Sequence, residues 1–422
     1  MTIPTVTWVD GAPGSLFDAD NLPYGVFTRA GRTPRVGVRI GDFVLDLAPV
    51  AANASPDSHH LFGEPSLNHF LAAGRPVWQS TREWVTALLT DRTQRDLVAP
   101  HLVPCRDVSM LMPFAVGDYV DFYASLDHAS NVGRLLRPGQ ESLLPNWRHL
   151  PVGYHGRAGT VVPSGTDIAR PRGQRKPAGQ DLPDLGPSRR LDIEAELGFV
   201  VGTGSTLGSS VTTAAFADHV FGVVGLNDWS ARDVQAWEYV PLGPFLGKSF
   251  ATSVSHWVTP LEALAAAWTP LPAQEPEPLA YLAMPDGPGG LDIDVEVELN
   301  GFVVARPPYR SMYWSPAQML AHLTVNGASI RPGDLFASGT VSGPVREQRG
   351  SFLELSWGGQ EPFAVGNEQR TFLEDGDTVT LRYTAPGGGG GRIALGEVTG
   401  TVLPTTQDRA ATPEGHGPVR HC

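Results

Sequence analysis

Residues Leu191-Asp192-Ile193-Glu194-Ala195-Glu196-Leu197 alternate apolar and acidic side chains without a break. That period of two commits the segment to a half-buried strand with one face on a core. Glu194 and Glu196 then leave the same face, one pleat apart. Two carboxylates so close repel each other, and burial would push both pKa values up unless a cation neutralises them. A hard divalent ion held by oxygen ligands meets that demand. An acidic, solvent-facing strand edge explains the pattern too, and the strand alone leaves both readings open.

The rest of the sequence describes a β-rich globular protein. Its 422 residues, 41% of them hydrophobic, are ample for a large core, and the length points to roughly two or three domains. The 48 glycines and 38 prolines favour many turns and short strands over long helices. A formal net charge of −13 argues against nucleic acid and anionic membrane surfaces as partners. Cys105 and Cys422 are too few for a disulfide framework or a cysteine-rich zinc site. Residues 1–10 show no basic segment followed by an apolar one, and no apolar run reaches bilayer length. A cytoplasmic location is expected.

Short alternating runs at Tyr24 to Thr28, Arg35 to Ile40 and Phe43 to Leu47, separated by Gly31-Arg32-Thr33-Pro34 and Gly41-Asp42, read as a small β module. Arg82 to Leu102 is expected to be helical, with Trp84, Leu88, Leu89 and Leu97 on one stripe. A boundary is placed between Pro113 and Gly117. Beyond it the pattern predicts strands at Asp192 to Val201 and Phe221 to Leu226, and a helix at Thr212 to His219. Asn300-Gly301 inside Asp294 to Val304 is a strong hairpin signal. Pro316 to Thr324 reads as a helix starting at proline. Thr378 to Tyr383 and Ile393 to Leu403 close the fold around the glycine run 387–391, and a disordered tail is expected beyond Pro404.

Several residues in this region carry chemistry. The apolar run from Phe221 ends at Asp228, where a strand presents a carboxylate beside a loop. Ser230 and Asp233 look like a capping box opening a helix, with Asp in place of Glu or Gln. Arg232 and Gln235 share one face of that helix and suit an oxyanion or a ligand carboxylate; a surface ion pair is the alternative for Arg232. Lys248, alone in an apolar, glycine-punctuated segment, needs a counter-charge, either from the acidic strand or from a merely structural salt bridge. His128 needs a partner if it is to act as a base rather than as a structural residue. Glu354, in Leu353-Glu354-Leu355 on a core-like strand, is a candidate that sequence cannot pair with it.

The runs Asp118 to Tyr123, His128 to Gly133, Leu144 to Trp147, Leu150 to Arg157, Asn227 to Gln235, Trp237 to Phe250, Arg331 to Leu335 and Ala337 to Thr340 resemble the fumarylacetoacetase (fumarylacetoacetate hydrolase) family. The resemblance runs from about Asn21 to about Leu403. It implies a mainly β fold with some α: a small SH3-like N-terminal β domain (1–115), a larger mixed β-roll catalytic domain (116–404) and a tail (405–422). It also implies a homodimer, and hydrolysis of the carbon–carbon bond of fumarylacetoacetate, a β-diketo acid, at the last step of tyrosine and phenylalanine degradation. The family's metal ligands fall on Asp121, Glu194, Glu196 and Asp228, and its second cation near Asp228, Lys248 and Thr252. Substrate contacts fall on Tyr123, Arg137, Gln235, Tyr239 and Thr340, with Tyr154 a further pocket tyrosine. The base falls on His128, oriented by Glu354, with Arg232, Gln235 and Lys248 around the oxyanion. Asp127 departs from the pattern beside the base and is read as a modifier of its pKa.

All four carboxylates are hard oxygen donors, so Ca2+, Mg2+ or Mn2+ is expected rather than a soft-ligand metal. A decarboxylase, isomerase or hydratase of the wider superfamily would share the acidic triad without needing the long N-terminal region or the full base motif. A calcium-binding scaffold would need no base at all.

Overall fold

The computed structural model describes residues 6–54, 59–177 and 179–406. The expected tail lies outside the described residues from 407 on, as do the first five residues. Half of the strands among the described residues join one large sheet. Its main path runs Leu102–Pro104, Phe43–Asp46, Arg35–Ile40, Tyr24–Thr28, Trp257–Pro260, Val220–Asp228, Ala195–Val201, Leu335–Ala337, Tyr119–Phe122 and Gly153–His155. The N-terminal strands are therefore continuous with the strands that carry the acidic residues: Tyr24 pairs with Val258 and Gly25 with Trp257. A second sheet, Phe302–Ala305, Asp294–Leu299, Thr378–Pro386, Arg392–Leu403 and Ile168–Ala169, packs behind it.

The three N-terminal strands form as the alternation predicts, except that Leu47 opens a helix, Leu47–Ala54. The helix expected at Arg82 to Leu102 is instead Arg75–Thr90, starting after Gly74 with a proline in its first turn. It stops at Asp91, whose carboxylate accepts a hydrogen bond from Thr93 N and starts a separate 3-10 turn. Leu97 thus sits on another short helix, Arg95–Val98. Phe221, from the catalytic side, packs edge-on against Tyr24, Phe70 and Trp78 of the N-terminal side, at 5.6, 5.5 and 5.3 Å. Each such aromatic pair adds about 0.5–1.5 kcal/mol beyond its buried area.

The acidic strand differs from its expectation in two ways. It is interrupted: Leu191–Asp192 pairs with Ser230–Ala231, and the long strand resumes only at Ala195–Val201. It is also buried on both faces, as Val220–Asp228 is. The interruption has a local cause, because the Asp192 carboxylate accepts from Ile193 N, Phe352 N and Leu353 N and competes with the ladder.

Glu354 lies in a short helix, Phe352–Leu355, capped by Ser351, and not on a strand. Three residues are too few to separate the two periods. Nor does Ser230 cap the Arg232–Glu238 helix. Ala231 holds the cap position, the Ser230 hydroxyl bonds the Asp228 carbonyl, and Asp233 accepts from Ser188 and Arg189. Elsewhere the local signals hold. Asn300 and Gly301 turn the hairpin at φ of 53° and 82°, and Ser315 and Gln318 form a complete capping box on Pro316–Thr324.

Candidate active site

Four carboxylates meet at the end of Val220–Asp228, the start of Ala195–Val201 and the end of Tyr119–Phe122, with Leu335–Ala337 paired between the last two. Asp121 pairs with Ala337, and Ala195 pairs with Asn227 beside Asp228. Asp228 N donates to the Glu194 carbonyl at 3.1 Å, so Asp121, Glu194, Glu196 and Asp228 each present an oxygen within 4.8 Å of the others, all buried. Lys248 donates to Glu194 Oε2 and to Asp228 Oδ2, the latter at 2.8 Å. Thr252 and Tyr154 donate to the two Asp228 oxygens at 3.0 and 3.2 Å. Arg232 donates to Asp192 at 2.8 Å; its Nη2 lies 2.7 Å from Glu194 Oε1 without hydrogen-bond geometry, a Coulombic contact.

These contacts divide the acids into two kinds. Burial would raise Glu194, but Lys248, Arg232 and His128 together hold it well below the usual carboxylate range. Burial pushes Asp121 far up, with Asp228 adding to it and Lys248 opposing. Burial, then Asp121 and Glu194, do the same to Glu196. Asp228 is raised by burial against the pull of Lys248. Asp121 Oδ1 and Glu196 Oε1 are moreover buried without any hydrogen-bond donor. A carboxylate oxygen is left so only at a large cost unless a cation lies against it, so these residues fit a hard divalent ion. The Lys248 ammonium, having no lone pair, is a counter-charge here, and any share it takes in holding a cation falls to its carbonyl oxygen.

His128 stands in the first turn of Leu126–Leu136, its amide held by the Ser125 hydroxyl at 3.2 Å. Its Nδ1 is 2.7 Å from Glu354 Oε2, and its Nε2 faces Glu194 Oε1 at 3.7 Å. The pair that sequence left unconnected is thus brought together across 226 positions. Burial alone would raise Glu354, but the charge of His128 and hydrogen bonds from His128, Asn131 and Ser351 hold it below its ordinary value. Asp127, half-buried beside the base, is pushed up by burial and then by the Glu354 charge, with Arg134 opposing.

The remaining candidates are spread more widely. A cavity of about 150 Å³ is lined by Tyr154, Asp228, Lys248 and Thr252 together with Tyr119 and Arg157. Tyr123, Arg137, Gln235, Tyr239 and Thr340 do not line it. Tyr123 stacks edge-on with the His128 ring at 5.3 Å. Gln235 braces Arg232, accepting from its Nη1 at 3.1 Å. Arg137 donates to the Ser142 carbonyl at 2.9 Å. Thr340 is buried with an unpartnered hydroxyl, and Tyr239 is half-buried at the end of the Arg232–Glu238 helix.

Sequence reasoning assigned no role to Tyr119, whose buried hydroxyl has no partner. It also gave none to Asp192, the buried counter-charge of Arg232; its place in the acidic alternation was the available signal.

A buried acidic centre that could hold a metal ion lies beside a histidine–carboxylate pair, on a mixed α/β fold that is mostly sheet. The chain belongs to the fumarylacetoacetate hydrolase family. Residues 119–403 match the family model described as fumarylacetoacetate (FAA) hydrolase C-terminal, and residues 20–113 match fumarylacetoacetase N-terminal. The chain is 46% identical to the fumarylacetoacetase of Oryza sativa, across 95% of this chain and 98% of that one. With the Homo sapiens fumarylacetoacetase it shares 45% identity, across 94% and 99%. The chain is thus a hydrolase of this family. The solved fumarylacetoacetate hydrolase of Exiguobacterium antarcticum shares the fold, with a TM-score of 0.54 at 18% identity, covering 91% of this chain and 99% of that one. Among the described residues no helix is long and apolar enough to cross a membrane.

Proposed function

We propose that this protein hydrolyses the carbon–carbon bond of fumarylacetoacetate, giving fumarate and acetoacetate, as the last step of tyrosine and phenylalanine degradation in the cytoplasm. One observation supports this above the others: a buried His128–Glu354 pair whose free ring nitrogen is turned toward a four-carboxylate centre. Asp121, Glu194, Glu196 and Asp228 would hold Ca2+ or Mg2+, with Mn2+ meeting the same donor set, and Asp228, Thr252 and the Lys248 carbonyl would serve a second cation. A hard dication bound there supplies Lewis-acid polarisation of a β-diketone oxygen.

The protein's own residues carry the proton and the charge. His128 Nε2 takes a proton from water, and Glu354 stabilises the imidazolium. The water oxygen bonds to the fumaryl carbonyl carbon. The bond from that carbon to the acetoacetate methylene then breaks, its electron pair leaving with acetoacetate as an enolate. The proton held by His128 returns to that carbon. Arg232, steadied by Gln235, and Lys248 face the developing oxyanion. Arg137, Tyr123, Tyr154, Tyr239 and Thr340 hold the substrate's carboxylates and carbonyls.

The catalytic domain is taken as residues 116–404 and the SH3-like domain as 1–115, assembled as a homodimer. Release of fumarate and acetoacetate from fumarylacetoacetate, lost with chelator and restored by Ca2+ or Mg2+, is the test. Isomerisation or decarboxylation of a related keto acid, with fumarylacetoacetate left intact, would overturn the reading. Light scattering on the active protein tests the dimer, which a fully active monomer would contradict.

A further inference from the structure

Fumarylacetoacetate carries a carboxylate at each end of its carbon chain, and a dianion approaching four carboxylates needs a cation for each end. Arg137 serves one. It belongs to the His128 side of the acidic centre, since its charge acts on the Tyr123 hydroxyl and the Tyr123 ring stacks on His128. The two oxygens of Glu194 separate the sides: Oε1 faces His128 and Arg232, whereas Oε2 accepts from Lys248. On the Lys248 side lies the cavity of about 150 Å³, and Arg157 stands in its wall with Tyr119, Tyr154 and Asp228. The backbone there is fixed. Asp121 pairs with Tyr154, and Gly156 N donates to the Tyr119 carbonyl at 2.9 Å. A Cβ at Gly156 would lie 2.2 Å from the Tyr119 ring, so only glycine lets the chain pass this close before Arg157. The Arg157 carbonyl then accepts from Thr160 N and Oγ1, both at 3.3 Å.

Among the described residues no carboxylate pairs with the Arg157 guanidinium and no acceptor takes its N–H groups. The Tyr119 hydroxyl, buried on the same wall, has no partner either. The other cation of the cavity is already engaged, because the Lys248 ammonium donates to Glu194 and Asp228. An unused guanidinium fork beside a tyrosine hydroxyl is a donor set for a carboxylate. We propose that Arg157 is a specificity-determining residue, receiving the substrate carboxylate that Arg137 does not hold. A cation at each end then suspends the reacting carbonyls over the acidic centre. The inference rests on the proposed cleavage of fumarylacetoacetate and adds to it how a dianion is told from a monoanion.

A carboxylate is the same ligand at the fumaryl and at the acetoacetate end, so two analogues tell the ends apart, each with hydrogen in place of one carboxylate. The test measures kcat/KM for fumarylacetoacetate and for both analogues; for an analogue that is not cleaved, its inhibition constant against fumarylacetoacetate is used instead. Arg157→Gln should lower kcat/KM for fumarylacetoacetate on the order of ten- to a hundred-fold, mostly through KM, and Arg137→Gln should do the same. The Arg157→Gln loss should vanish with one analogue and the Arg137→Gln loss with the other. The analogue that erases the Arg157→Gln loss identifies the end seated in the cavity. An Arg157→Gln loss that persists with both analogues, that vanishes with the same analogue as the Arg137→Gln loss, or that is absent with fumarylacetoacetate overturns the inference; the proposed function then still stands on cleavage by the parent. A parent that leaves fumarylacetoacetate intact overturns the proposed function and this inference with it.

Discussion

Asp121 and Glu194 contribute to the same centre by opposite means. Glu194 is the counter-charge of two buried cations, Lys248 and Arg232, whereas Asp121 has an oxygen with no partner. Glu194→Gln should therefore lose bound metal and also leave buried positive charge uncompensated, at a cost of about 3–5 kcal/mol. Asp121→Asn should lose metal as completely but, in chelator-treated protein, match or exceed the parent in stability, because it removes a repulsive charge. Elemental analysis and thermal melts with and without chelator measure both. Equal destabilisation by the two substitutions would show that the division of roles is wrong. At the base, His128→Ala should abolish turnover and Glu354→Gln should lower it by about a hundred- to ten-thousand-fold. If both residues serve one proton transfer, the double variant should be far from additive.

The Val220–Asp228 strand delivers Asp228 to the centre, and its placement depends on a close approach. A Cβ at Gly225 would lie 2.3 Å from the Tyr383 ring, whose hydroxyl donates to the Leu226 carbonyl and accepts from Leu226 N. Gly225→Ala should cost about 3 kcal/mol or more through overpacking and the loss of that bridge. The Pro316–Thr324 helix gives a milder comparison. Ser315→Ala removes one half of the capping box and should cost about 1 kcal/mol without affecting turnover. Denaturant unfolding of the two variants separates a packing defect from a capping defect. A smaller cost at Gly225 than at Ser315 would contradict the close-packed strand.

The shared sheet makes the N-terminal region part of the catalytic fold in a physical sense. Removing residues before 113 would strip Tyr24–Thr28 from Trp257–Pro260 and expose Phe221, so the shortened protein should aggregate, as solubility and light scattering would show. The same junction holds a pH-sensitive group. His256 borders a cavity of about 330 Å³ between Phe17 and Arg39 on one side and Arg382, Tyr383 and Glu397 on the other. Burial lowers its pKa from 6.5 to about 4, so the folded protein favours the neutral ring while the unfolded chain takes up a proton first. Its contribution is complete above pH 6.5 and is lost as pH falls toward 4, amounting to about 3 kcal/mol at most. Stability curves should flatten over that window in His256→Phe. An unchanged slope would remove His256 from the acid sensitivity.

The sequence by itself determined the local pieces: the alternating acidic run, the Asn300-Gly301 turn, the start of Pro316–Thr324 and the family resemblance that spans nearly the whole chain. These depend on neighbours a few positions apart, where periodicity and turn chemistry act. Only the tertiary structure decided that the acidic strand is buried on both faces, because burial is set by what packs against a strand and not by its own alternation. It alone turned Glu354 into a helix residue beside His128. It also made Lys248 and Arg232 the counter-charges of one glutamate. Charges 40 to 226 residues apart in sequence share a site here because short helices seated beside the paired strands carry them, and that placement follows from long-range pairing that no short window of sequence contains.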